Sequence, residues 1–147
     1  MSYAEGTSVP IDRSKTEIER ILTKYGADQY SSGWAEGRAV IMFRMKDRFI
    51  RIDMPLPING KAKNKKGHIL SKSSVESEIR RRWRCMVLYV KAKLESVESE
   101  IVTFEDAFMA HIVLPDRQTV SQFMSQQIAE AYTSGAMPKQ LLLGSGG

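Results

Sequence analysis

The 147-residue chain contains one cysteine, Cys85, so no disulfide can form within it. Its only histidines, His68 and His111, sit far apart and outside any compact Cys/His pattern, so no structural zinc is expected. No apolar run approaches the roughly 20 residues that span a bilayer. The start, Met1-Ser2-Tyr3-Ala4-Glu5, lacks the basic-then-apolar order of a signal peptide. An intracellular, reducing setting without membrane contact is the expectation. There is no Gly-rich loop ending in Lys-Ser or Lys-Thr, no dinucleotide fingerprint and no Gly-x-Ser-x-Gly elbow. The recognised nucleotide and hydrolase signatures are therefore missing, and no cofactor is expected.

What is present suits one small globular domain. Apolar residues make up 42% and charged residues 27%, outside the composition of disordered chains. The net charge of +5 is unevenly distributed. Residues 1–60 carry nine basic and eight acidic side chains, a balance of +1. Residues 61–93 carry eleven and two, or +9, and residues 94–147 carry two and seven, or −5. A basic cluster of that density attracts a polyanion or an acidic surface.

The pattern predicts an α+β fold: an N-terminal helix, a small antiparallel sheet, a long central helix and a C-terminal helical pair. Residues 1–10 read as a flexible lead and 136–147 as a tail around a single domain over 11–135. Ser14 and Glu17 have capping-box spacing, so the first helix is expected from Ser14 to Tyr25, with Ile18, Ile21 and Leu22 inward. Residues 27–32, Arg38–Met45 and Phe49–Met54 read as strands, the last two alternating apolar and polar residues across a tight turn. Residues 58–73 hold five lysines and little apolar periodicity, which reads as a mobile basic loop. From Val75 to Val97, Val75, Ile79, Trp83, Met86, Val87, Val90, Leu94 and Val97 form a helical stripe, capped by Ser73 or Ser74. Trp83 continues that stripe and is assigned to the core. Further helices are expected from about Thr103 to Val113 and from Thr119 to Gly135, the second with another capping box at Thr119 and Gln122.

Two groups of residues carry the functional expectation. Lys61, Lys63, Lys65, Lys66 and Lys72 in the loop, with Arg80, Arg81 and Arg84 on the helix, would collect phosphates. On the strands, Arg38, Arg44, Arg48 and Arg51 lie near Tyr30 and Trp34, the two aromatics expected to be exposed and able to stack on bases. Cys85 has no catalytic partner in the sequence and reads as a small packed residue. Asp53, Glu36, Glu105 and Asp106 would support a metal-dependent nuclease only if the fold gathered them. The acidic C-terminal half leaves room for a homodimer or a protein partner.

Three stretches resemble small uncharacterised proteins encoded by bacteriophages and prophages. They are Val9-Pro10-Ile11-Asp12-Arg13-Ser14, Ile21-Leu22-Thr23-Lys24-Tyr25-Gly26-Ala27 and Glu36-Gly37-Arg38-Ala39-Val40-Ile41. Arg82-Trp83-Arg84, Lys91-Ala92-Lys93-Leu94-Glu95 and Thr103-Phe104-Glu105-Asp106-Ala107-Phe108 extend the likeness, which covers roughly residues 9–125. The resemblance implies a viral or mobile-element setting in the cytoplasm of a bacterial host cell and supplies no catalytic motif. The resulting expectation is a non-enzymatic accessory protein that binds nucleic acid, single-stranded DNA ahead of duplex or RNA. Its alternatives are a modulator of a host protein and, more weakly, the nuclease.

Overall fold

The computed structural model describes residues 8–137. The lead over residues 1–7 and the tail from residue 138, including Leu141 to Leu143, lie outside the described residues.

Helix α1 runs Ser8–Lys24, six residues earlier than the Ser14 start expected from capping-box spacing. Pro10 lies in its first turn, where a missing N–H leaves no intrahelical bond unmade. Ser14 is therefore interior rather than a cap, and at 6% exposure it shares the buried face with Ile11, Ile18 and Leu22. Gly26 follows the helix, and the chain enters the sheet.

Strands β1 (Gln29–Ala35), β2 (Arg38–Met45) and β3 (Arg48–Pro55) form an antiparallel sheet in sequence order. Lys46 and Asp47, both with positive φ, make the tight β2–β3 turn. The alternation read from the sequence is observed. Ala39, Ile41, Phe43 and Met45, with Ile50, Ile52 and Met54, form the inner face. Arg38, Met42, Arg44, Phe49 and Arg51 share the outer one.

Helix α2 (Lys72–Glu98) crosses the inner face and buries Val75, Ile79, Trp83, Met86, Val87, Val90 and Leu94. Its N-cap is Ser71, whose hydroxyl accepts from the Ser74 N–H. With α1 packed beside it, this stripe and the inner sheet form one hydrophobic cluster. Trp83 lies at its centre at 0% exposure, as assigned from the stripe.

The expected helix over Thr103–Val113 is shorter. Thr103 caps α3 (Phe104–Ala107), a 3₁₀ turn follows at Met109–His111, and the chain then leaves helical geometry. Ile112 bridges Ile50, and the Val113 N–H donates to the Phe49 carbonyl at 2.8 Å. The open edge of β3 needs hydrogen-bond partners, and that requirement takes these residues from the helix. Helix α4 (Val120–Ser134) has the complete capping box at Thr119 and Gln122 and a left-handed Gly135 at its end. It buries none of its residues, and Phe123, Ile128 and Tyr132 are exposed. No helix among the described residues is long and apolar enough to cross a membrane.

Candidate nucleic-acid interface

The lysine segment between β3 and α2 has a defined path, folded back on itself as a small hairpin. The Ile58 carbonyl accepts from the Lys61 and Ala62 N–H groups at 3.0 and 2.9 Å. Asn64 closes the tip: its Oδ1 accepts from the Lys66 and His68 N–H groups, while its own N–H donates to the His68 carbonyl. The Leu70 N–H returns to the Ala62 carbonyl at 2.8 Å, and both side chains pack against the core. With Ala62 and Leu70 turned inward, Lys61, Lys63, Lys65 and Lys66 face solvent. None of the four has an acidic partner among the described residues.

The arginines divide by their partners. At the far end of the sheet, Arg44 is bound to Asp28 and Asp47 at 2.8 and 3.1 Å, and Arg48 to Glu105 at 3.0 Å. Arg51 bonds to Asp53, the Arg117 carbonyl and Gln122 Oε1, tying the sheet to the start of α4. These three guanidiniums have structural work in the free protein. Arg38 lies at the other end of β2, roughly 20 Å from Arg44 at strand rise. It is exposed and without an acidic partner among the described residues.

On α2, Arg81 and Arg82 share one carboxylate. Glu78 lies 2.7 Å from Arg81 and 2.8 Å from Arg82, and Arg82 also donates to the Pro55 carbonyl. Hydrogen bonds from Arg81, then Arg82, hold Glu78 well below its ordinary value near 4.5, at about 2. Two cations on one anion leave one positive charge. Arg80 is half-buried, whereas Arg84 is exposed and has no acidic partner among the described residues. Arg80 and Arg84 stand about 12 to 18 Å along the helix from Lys72, its first residue. The expected set is thus spread over the molecule, with its unneutralised members concentrated on the hairpin.

The two aromatics differ. Tyr30 lies on the inner face opposite Phe43, half-buried against the core, and burial pushes its phenol pKa up. It is half-buried rather than exposed as the sequence suggested. Trp34, opposite Ala39 at the β1 edge, remains 42% exposed. It lines a recess of about 160 Å³ together with Pro57, Ile58 and Asn59 at the root of the lysine hairpin. Val75 and Ile79 of α2, both buried, and the charged residues Glu36, Glu76 and Lys72 complete its lining. Sequence reading missed Ile58, Asn59 and Glu76, which meet Trp34 only after the sheet pairs.

Gly37 permits the meeting. Its φ is +86°, and a Cβ there would stand 3.0 Å from Ile58 Cδ1. The Leu56 N–H donates to the Gly37 carbonyl at 2.9 Å, so the β1–β2 turn and hairpin root are fastened together.

A second, more open groove of about 380 Å³ runs between β3 and α2, past Asp53, Arg81, Cys85, Tyr89 and His111. Tyr89 Oη and His111 Nε2 are 2.6 Å apart. Burial, with Lys93 nearby, lowers the His111 pKa despite an opposing contribution from Asp53. Cys85 is exposed rather than packed, with its Sγ 3.6 Å from Arg81 Nη1. The carboxylates considered for a nuclease are not gathered: Glu36 lies in the β1–β2 turn, while Glu105 is tied to Arg48 near the other end of the sheet. No group of three metal-ligating side chains occurs among the described residues.

Comparisons with family models, curated proteins and solved structures gave no match.

Proposed function

We propose that the protein is a non-enzymatic accessory factor that binds nucleic acid through the hairpin of Lys61, Lys63, Lys65 and Lys66, single-stranded DNA ahead of duplex or RNA. The observation that carries this reading is the hairpin itself: four exposed lysines on a hydrogen-bonded frame, with no acidic partner among the described residues. Lysines compensated within the protein would have to break those bonds before meeting a phosphate. These do not, and counterion release from the polyanion favours their binding. Arg38 and Arg84 extend the positive surface, while Arg44, Arg48 and Arg51 are left out of the contact. The preference for an unpaired strand rests on Trp34 beside the hairpin root, since duplex bases do not expose their faces. The resemblance to phage-encoded proteins makes replication or recombination the proposed setting.

Fluorescence polarisation with labelled single-stranded DNA, duplex DNA and RNA at 50 and 200 mM salt tests it, those concentrations being about the usual comparison range. Binding that is tightest for single-stranded DNA and weakens with salt is expected. Absence of binding to all three at the lower salt overturns the reading.

A further inference from the structure

The recess beside Trp34 differs chemically from the hairpin it adjoins. The buried Val75 and Ile79 give its lining apolar surface, and the 42% exposed Trp34 adds a large aromatic side chain. Glu36, Glu76 and Asn59 also line it, with Lys72 the one cation among the lining residues. Two carboxylates make it a poor place for a phosphate. The phosphate-attracting lysines lie immediately outside, starting two residues beyond Asn59. At about 160 Å³ the recess is smaller than the roughly 300–1,000 Å³ sites that take drug-sized molecules, and suits one flat ring system.

A ligand matching this arrangement carries an apolar, flat, donor-edged group on an anionic chain. We propose that the recess takes one unpaired nucleobase bearing an exocyclic amino group, stacked on Trp34, while the flanking phosphates lie on Lys61 and Lys63. The inference rests on the nucleic-acid reading above and names what the site reads. Stacking on an indole accepts any base. The edge discriminates: a carboxylate accepts from the cytosine N4 amino group and an amide pairs with adenine, whereas thymine offers no amino group. Gly37 maintains the recess by letting Ile58 close against the β1–β2 turn.

Three strands of equal length and charge separate the contributions: oligo-dC, oligo-dT and an abasic phosphodiester strand. Each is titrated at low salt by polarisation and by quenching of tryptophan fluorescence. Trp83 is fully buried, so a contact quench reports on Trp34. Oligo-dC should bind roughly five- to a hundredfold tighter than the abasic strand, with oligo-dT between them and Trp34 quenched by the two base-bearing strands. Trp34→Ala should bring oligo-dC down to the abasic affinity without changing the abasic affinity itself. Trp34→Phe should restore part of the difference, which separates lost stacking from a damaged fold. Equal binding of base-bearing and abasic strands overturns the recess while leaving the lysine hairpin standing. Equal binding of oligo-dC and oligo-dT, both above the abasic strand, overturns recognition of the amino edge. Failure of all three to bind overturns the underlying nucleic-acid reading as well.

Discussion

Gly37 and Ile58 are packed so closely that a Cβ at position 37 would stand 3.0 Å from Ile58 Cδ1 and 3.3 Å from Cγ1, so that Ile58 would have to give by a few tenths of an ångström. The contact joins the turn before β2 to the root of the lysine hairpin. Gly37, Ile58 and Trp34 all line the recess.

Gly37→Ala is penalised twice, by its left-handed φ and by this contact. A loss of about 1–2 kcal/mol is expected in urea unfolding. Trp34 emission should shift as Ile58 is displaced, while the buried Trp83 keeps its environment. Unchanged stability and emission would contradict the close packing assigned to this pair.

The Glu78 triad gives a pH dependence at the acid end. Its folded pKa, about 2, lies below the ordinary value near 4.5, so the folded form binds the proton less readily than the unfolded chain. The resulting stabilisation is present above about 4.5 and is lost as pH falls towards 2. Glu78 is partly solvent-exposed, so Glu78→Gln should cost only about 1 kcal/mol at neutral pH. Urea midpoints for the wild type and variant should converge as pH falls through this window.

His111 acts in the neighbouring window. Burial and Lys93 lower its folded pKa below 6.5, so its contribution is present above 6.5 and declines as pH falls through the folded value. The neutral ring can accept from Tyr89 through Nε2 at 2.6 Å. A proton NMR titration should place the His111 midpoint below 6.5. Lys93→Gln should move it upward while retaining a donor for the Ala107 carbonyl. A midpoint at or above 6.5 in the wild type would contradict this environment.

Elements whose own periodicity matches their burial were legible in the sequence. The stripe of α2 and the alternation of β2 and β3 agree with the structure because each repeats one local geometry against one core. Helix α4 was marked by a capping box that closes within four residues. The same spacing misled at Ser14, because α1 begins upstream and turns that hydroxyl inward. The helix after Thr103 was overextended because Ile112 and Val113 answer the edge of β3, a demand absent from their local sequence.

The candidate site divides in the same way. Four adjacent hairpin lysines are visible as a charge run. That Arg48 is neutralised by Glu105, or that Arg51 is occupied by Gln122 and Arg117, depends on contacts between residues 57 to 71 positions apart. Counting cations therefore located the positive segment but could not show which guanidiniums are paired within the protein. Tyr30 and Trp34, four residues apart on one strand, were separated only by what α1 and α2 cover.

The most direct test of the central claim is the salt slope of single-stranded DNA binding. It is measured by polarisation for the wild type, a variant with Lys61, Lys63, Lys65 and Lys66 all changed to Gln, and an Arg44→Gln/Arg48→Gln control. Each lysine that releases a counterion contributes about 0.7 to the slope of log K against log salt, so removing four should flatten it by about 3. The arginine control should keep the wild-type slope, because its guanidiniums are bound to Asp28, Asp47 and Glu105. An unchanged slope in the lysine variant, or an equal loss in the control, would contradict the assignment of phosphate contact to the hairpin.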